Sequence, residues 1–348
     1  MKVHDVYVSA IGVYLPDRVQ SAEQAVSAGL YERESDAAND IRSVHLGDDV
    51  PAVEMGLRAA KRAMDAFAVD PADITMVIHT GTSRQGPENW GPASYLLRYT
   101  GVSESAVAFE VRHQCNGMFS SFHLAVAHLR AAPEHTAVLV VCSDNWATPP
   151  TNRWESVPGM VLGDGAAAVV LAKTPGFARL RSVDTLVIPE LEELHRVGES
   201  LGPDFEPAAS RGSLKDSSTL FVERSPHAAD MHTLVDQANE RLNERTVANS
   251  GIELSKMTRV GTMNASPALV HGRMLPLLGL PASRSTYDVG RDVGHVGGSD
   301  QTISLERLLR AGELGAGDHY LMAGVGPGLT CATAVLEIIE APAALRTR

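Results

Sequence analysis

Residues 108–132, AFEVRHQCNGMFSSFHLAVAHLRAA, lead from an apolar run into a helical pattern through a single cysteine. Val107–Val111 reads as a buried strand, and Asn116–Ala131 as the helix that follows a short turn. Met118, Phe119, Phe122, Leu124, Ala125, Ala127 and Leu129 surround that helix and leave it almost no polar face, so it is expected in the interior. Cys115 falls where the helix begins. The positive end of the helix dipole favours an anion there, and the free N–H groups of the first turn can hold an oxyanion. Strand, turn, cysteine and buried helix together make Cys115 a candidate nucleophile. The competing reading, a thiol packed in the core, is kept for Cys142 and Cys331, which lie inside or beside apolar strands.

Outward from this stretch, strand-like and helix-like segments alternate, the pattern of a layered α/β fold. In the first half, Met76–Thr80, Thr136–Cys142 and Ala166–Ala172 join Val107–Val111 as near-continuous apolar runs, expected for strands buried on both faces. Helical patterns lie between them at Ala52–Phe67, Ala93–Tyr99 and Asn116–Ala131. The second half repeats the rhythm. Helices are expected at Met231–Val247, Pro267–Leu278 and Asp300–Ala311, with strands at Thr258–Met263, His319–Ala323 and Ala332–Ile338. The halves also close alike, GDGAAAVVLA from Gly163 answering GPGLTCATAVLE from Gly326. Residues 1–174 are therefore read as one half-domain carrying the cysteine elbow, and 175–348 as its counterpart. Residues 175–230, polar and punctuated by Pro and Gly, read as a lid or linker outside the core.

Composition narrows the function. The 348 residues are 44% apolar and 21% charged, enough for a large core, and the formal net charge is −12. An acidic chain is a poor partner for nucleic acid, whose binding draws on Lys and Arg. Three cysteines without a CxxC pair argue against a disulfide framework and for a reduced, cytoplasmic setting. The opening MKVHDVYVSAIGVYLPDRV has no basic leader region and is broken by Gly12 and Pro16, so it reads as a first strand. No apolar run approaches the ~20 residues of a membrane span. No cluster with metal-ligand spacing stands out.

YVSAIGVYLPDRVQS, AVEMGLRAAKRAMDAFAVDPADI, HQCNGM, LGDGAAAVVL and GVGPGLTCATAVLE follow one another in this order. With them the chain resembles the ketosynthase-III branch of the thiolase superfamily over nearly its whole length. The resemblance implies a duplicated five-layered α/β/α/β/α thiolase fold, a homodimer, and acylation of Cys115 by a coenzyme A or acyl-carrier-protein thioester, with no permanently bound cofactor. Condensing members of that family use Cys, His and Asn. Here MNASPALVHGRM places Asn264 where the family has His, with Met263 and His271 as alternatives under a shifted alignment. In YDVGRDVGHVGGSDQTISLERLL, His295 stands where the family has Asn. The two residues are exchanged.

The exchange matters because a condensing site needs two donors aimed at one enolate oxygen, whereas acylation of a cysteine needs chiefly a thiolate and an oxyanion hole. The resemblance thus implies His295 as a general base and Asn264 as an oxyanion donor, although Asn264, just ahead of Ser266-Pro267, could equally shape a helix entry. Asp300 could orient His295 or simply stabilise the first turn of its helix. His113 is read as structural. For the acyl donor, Arg33, Arg42 and Arg273 are the cations at hand, Arg42 and Arg273 being the candidates for coenzyme A or carrier-protein contact; a solvated helix arginine is the alternative for Arg273. The loop Thr82–Pro92, carrying Trp90, is expected to reach a partner subunit.

The function expected is transfer of an acyl group, malonyl without decarboxylation among the options, to a hydroxyl or amine, such as a sugar of a glycosylated polyketide. Two alternatives stand beside it: a priming 3-oxoacyl synthase that condenses an acyl-CoA starter with malonyl carrier protein, and a silent partner subunit, which the presence of Cys115 disfavours.

Overall fold

A computed structural model describes residues 1–147, 151–197, 202 and 214–346. Eleven strands are present among the described residues: β1 (Tyr7–Tyr14), β2 (Val19–Ser21), β3 (Ser43–His45), β4 (Ile74–Thr80), β5 (Val107–Val111), β6 (Ala137–Asp144), β7 (Gly165–Ala172), β8 (Ala178–Val187), β9 (Arg259–Gly261), β10 (His319–Gly326) and β11 (Thr330–Ile338). Strands β2 and β3 form a small antiparallel pair, and the other nine hydrogen-bond in the order β5-β4-β6-β7-β1-β8-β11-β10-β9.

That order contains the duplication. From the middle outward, the first half runs β1, β7, β6, β4, β5 and the second runs β8, β11, β10, β9. A parallel bridge between Val260 and Ser285 stands where the second half would place its outermost strand. Strands β7 and β11, the two glycine-led segments that answer each other in the sequence, occupy equivalent positions. Strands β1 and β8, where the halves adjoin in the sheet, share two residue pairs, Tyr7 with Arg179 and Val8 with Ala178, and Lys2 adds a bridge to Ser182.

Burial explains why the central strands read as unbroken apolar runs. All eight residues of β6 and all eight of β7 are buried, and fully burying one aliphatic side chain contributes about 1.5–3 kcal/mol. Helix Ala52–Ala66 covers β1, β6 and β7 on one outer face, and helix Met231–Ser250 covers β8 and β11 on the other. Between the half-sheets lie helix Gly117–Ala131, touching β4 and β6 as well as β8 and β11, and helix Asp300–Ala311, touching β1, β7, β9 and β10. These are the five layers expected. No helix among the described residues is long and apolar enough to cross a membrane.

The structure differs from the sequence reading in five places. Residues 175–230 are not irregular throughout, because Ala178–Val187 is β8 with Ala178, Leu180 and Val183 in the core; residues 198–201 and 203–213 of that stretch lie outside the described residues. Helix Gly117–Ala131 is not wholly interior, since Leu124 and Ala127 reach solvent. Strand β5 is an edge strand with Val107 and Glu110 exposed, not one buried on both faces. The strand expected over Thr258–Met263 shortens to Arg259–Gly261. The helix expected over Pro267–Leu278 is interrupted by a π-turn at Val270–Met274. Pro276 lies two residues on, and its missing N–H and its ring preclude the regular bond to the carbonyl four residues back.

Candidate active site

The cysteine elbow is built under strain. Gln114, directly after His113 and before Cys115, has φ +49°, a left-handed conformation that costs a non-glycine residue about 1 kcal/mol or more. Residues Gln114–Asn116 form one 3-10 turn, and the helix starts at Gly117. Glycine is required there because a Cβ would fall 1.9 Å from Thr80 Oγ1 at the end of β4. Asn116 does not cap the helix with its side chain; its Nδ2 donates to Thr330 O at 2.9 Å and Thr330 Oγ1 at 2.7 Å, pinning the elbow to the start of β11. His113 Nδ1 lies 2.5 Å from Ser120 Oγ, a contact within the elbow. Cys115 itself is half-buried, whereas Cys142 and Cys331 are buried.

Across the elbow stands His295. Its Nε2 is 3.3 Å from Cys115 Sγ and its Nδ1 is 2.6 Å from Asp300 Oδ2. The imidazole thus bridges thiol and carboxylate, which fixes Nδ1 as the protonated nitrogen facing Asp300. The backbone on either side of the ring is gripped as well: His295 N donates to Val161 O at 2.7 Å, and Gly163 N donates to His295 O at 2.9 Å. The gripping segment is anchored by Asp164, which pairs with Arg153 at 3.0 Å and accepts from Gly47 N at 2.8 Å and Trp146 N at 2.9 Å.

Asp300 is the hub. Besides His295, it accepts from Val296 N at 2.7 Å, Asn264 N at 2.8 Å and Asn264 Nδ2 at 3.2 Å. The dipole reading of Asp300 is therefore incomplete, because its carboxylate is turned onto the histidine. The 3-10 turn Gly297–Ser299 brings position 300 back beside position 295. Asn264 joins the same carboxylate. Its Nδ2 donates to Gly294 O at 2.7 Å and to Asp300, and its Oδ1 packs against Gly290, where a Cβ would come within 2.4 Å. Both amide hydrogens are engaged by Gly294 and Asp300, so in this geometry Asn264 braces the His295–Asp300 turn. Of the alternatives, His271 Nε2 bonds Ser285 Oγ at 3.0 Å and Met263 packs as a buried side chain.

Burial works against charge on His295, but the charges of Asp300 and Cys115 outweigh it and hold the imidazolium well above its usual range. Burial pushes the Cys142 thiol well above the ordinary value and Cys331 up to about 11, so both stay protonated near neutral pH.

The proposed donor contacts lie apart from this cluster. Arg273 is paired with Asp236 at 2.8 Å on the surface, and Arg42 faces Asp292 at 3.6 Å. Arg33 begins the short helix Arg33–Asn39. Among the described residues no group of three His, Cys, Asp or Glu side chains is arranged to hold a metal ion.

A duplicated five-layered fold with a cysteine on an elbow between its half-sheets defines a thiolase-fold enzyme. The sequence agrees: residues 109–185 match the family model of 3-oxoacyl-[acyl-carrier-protein] synthase III, and residues 247–338 match that of its C-terminal region. The solved structure of ChlB3, described as an acyltransferase, is 39% identical and superposes with a TM-score of 0.91 over 98% of this chain and 100% of that one. Two others share the fold at lower identity. FabH of Pseudomonas aeruginosa PAO1, a 3-oxoacyl-(acyl carrier protein) synthase III, is 20% identical with a TM-score of 0.75 over 96% of this chain and 98% of that one. OleA of Xanthomonas campestris is 18% identical with a TM-score of 0.75 over 97% of this chain and 99% of its own. The chain belongs to the ketosynthase-III-like family of the thiolase superfamily and is an enzyme that acts on acyl groups.

Proposed function

We propose that the protein is an acyltransferase that moves an acyl group from a coenzyme A or carrier-protein thioester, through Cys115, to a hydroxyl or amine of a small molecule, a sugar of a secondary metabolite being the favoured acceptor. The observation that carries this reading is the chain Cys115–His295–Asp300, with contacts of 3.3 Å and 2.6 Å. A histidine oriented by a carboxylate relays protons to and from a nucleophile, as acyl transfer requires. Decarboxylative condensation asks for two donors on one enolate oxygen, and the Asn264 amide hydrogens are already engaged by Gly294 and Asp300. The acyltransferase description of ChlB3 supports the same choice.

The steps follow from the geometry. Cys115 Sγ attacks the thioester carbonyl while its proton resides on His295 Nε2; N–H groups at the uncapped start of helix Gly117–Ala131 take the oxyanion. As the carbon–sulfur bond to the donor breaks, the proton passes to the leaving thiolate. Acylation removes the charge of Cys115, one of the two influences that raised the His295 pKa, so the imidazole becomes a base for the next step. It then takes the proton of the acceptor hydroxyl as that oxygen attacks the acyl carbon. Collapse of the second intermediate breaks the Cys115 bond and returns the proton to sulfur. Asp300 holds the tautomer throughout, and Asn264 holds Asp300.

A homodimer completes the proposal. The open edge of β5 lies beside an aromatic stripe, with Trp90, Tyr99 and Val107 exposed by 37%, 43% and 52%, and the Tyr95 ring in contact with those of Trp90 and Tyr99. Single-turnover incubation with a malonyl or other acyl thioester tests the function. One acyl mass should appear on Cys115, be absent from Cys115→Ala, and leave for an oxygen or nitrogen acceptor without carbon dioxide. Stoichiometric carbon dioxide with a β-ketoacyl product would replace this reading by condensation.

A further inference from the structure

Asp144, the last residue of β6, is fully buried yet takes no part in the chemistry described above. Its Oδ1 accepts from Thr82 N at 2.7 Å and Ser83 N at 2.6 Å, the turn that leaves β4. Its Oδ2 has no hydrogen-bond partner among the described residues and lies against Gly297, where an added Cβ would fall 2.1 Å away. Thr82 Oγ1, also buried without a partner, is 3.4 Å from that same point. Gly297 has φ +55°, follows His295 by two residues, and leads into Gly298, whose Cβ position is 3.3 Å from the carbonyl of Cys115. One carboxylate therefore touches both the turn after β4 and the turn that carries the histidine, and the latter touches the elbow.

We propose that Asp144 is a positioning residue for the Cys115–His295 pair, clamping the Thr82–Ser83 turn against the Gly297 turn and so fixing the imidazole relative to the thiol. The proposal takes its biological setting from the acyl-transfer reading, but the clamp concerns the reactivity of the thiol, which is measurable without any acceptor.

Burial pushes the Asp144 carboxyl up to about 6, against the lowering influence of the Ser83 and Thr82 contacts and of the charge on His295. The titratable groups on the surrounding elements are His79 on β4, Cys142 on the same strand, Asp164 ahead of β7, Cys115 on the elbow, and His295 with Asp300. Burial holds His79 neutral, down near 3, and keeps the Cys142 thiol protonated. The nearby cation that favours ionised Asp144 is thus His295. An acid kept ionised and half-satisfied in the interior costs stability at neutral pH. A side chain that merely held the fold together would not carry that cost; one that holds a reactive pair in register would.

The test is alkylation of Cys115 by iodoacetamide, followed by intact mass, with the buried Cys142 and Cys331 as internal controls. Asp144→Asn keeps size and one acceptor oxygen but never carries charge. The expected result is a melting temperature at pH 7.5 equal to or above wild type, with Cys115 alkylation slowed on the order of tenfold, as a small misalignment of a reactive pair would cause. Wild-type alkylation should also fall as pH drops through about 6, and the variant should lack that step. Gly297→Ala, which drives a methyl against the carboxylate while leaving Asp144 in place, should slow alkylation too, and it serves as the probe if Asp144→Asn does not fold. A folded Asp144→Asn with wild-type rate and pH profile overturns the proposal, as does a fast Gly297→Ala. If the clamp holds but wild type transfers no acyl group to any oxygen or nitrogen acceptor, the proposed function fails alone.

Discussion

Replacing Asp300 by Asn is the most informative single change at the site, because the outcome can be worked from its hydrogen bonds. Four N–H donors converge on the carboxylate: His295 Nδ1 and Asn264 N on Oδ2, and Val296 N and Asn264 Nδ2 on Oδ1. An amide offers one acceptor edge only. If the amide oxygen stays toward the histidine, the NH₂ group confronts two donors on the other side, and each unsatisfied buried group costs about 1–3 kcal/mol. If the amide flips, its NH₂ faces Nδ1 and forces the proton onto Nε2, which then points at Cys115 Sγ and cannot accept from it. Either orientation also removes the negative charge that sustains the imidazolium. A wrong-tautomer carboxylate-to-amide change in such a chain typically costs ~10⁴ in rate. Asp300→Asn is therefore expected to slow both half-reactions by roughly 10³–10⁴, about 4–5 kcal/mol of barrier. The assay is rapid quench with intact-protein mass, following acyl-Cys115 as it forms from an acyl thioester and decays on addition of an acceptor, with a melting curve to establish that the variant is folded. A folded Asp300→Asn that forms and discharges acyl-Cys115 within threefold of wild type would refute the assignment of Asp300 as the orienting group.

Stability should fall as pH rises, and two groups set the window. His295 has a folded pKa raised above its unfolded value of 6.5, so its contribution is complete below about 6.5 and is lost as pH climbs through the raised value. Asp144, raised from 3.8 to about 6, adds a penalty that grows between those values, roughly 3 kcal/mol in all. Melting curves from pH 5 to 9 should show His295→Gln flattening the upper part and Asp144→Asn the lower; a wild-type stability that increases across the range would contradict both directions. Light scattering should give about twice the 37.1 kDa chain mass, and Val107→Lys, which sets a charge on the open edge of β5, should weaken the dimer. A stable, active monomer at micromolar concentration would remove the dimer from the proposal.

The elbow and the central strands were readable because burial on both faces leaves an unmistakable mark on sequence: VVC and GAAAVVLA admit no polar face. Strand β8 left no such mark. In ARLRSVDTLV the arginines at 179 and 181 alternate with buried residues, and the aliphatic shafts run along the sheet while the guanidinium groups reach Asp5 and Glu337. The segment consequently passed for linker. At the site, motif order put Cys115 and His295 forward, and these two residues, 180 positions apart, lie 3.3 Å from each other. The partners of Asn264 were not readable, since a sequence shows which side chain carries amide hydrogens but not which acceptors use them. Asp300 lay between readings for a similar reason. Only the tight turn Gly297–Ser299, itself dependent on the positive φ of Gly297, decides that position 300 folds back onto position 295. The clamp at Asp144 had no sequence signal at all, being one acid at the end of an apolar strand.

The seam between the half-sheets has a consequence for how the enzyme comes into being. Cys115 belongs to the first half and His295, Asp300 and Asn264 to the second, while the strands that join the halves share just two residue pairs. A chain emerging from the ribosome completes its thiol-bearing layer long before the histidine exists, and contacts across such sequence distances form late because loop closure precedes them. The thiol accordingly spends synthesis as an ordinary cysteine. It acquires its partner only when the second half docks, so assembly of the last layers, not synthesis of the cysteine, is the moment at which the Cys115–His295 pair comes into being.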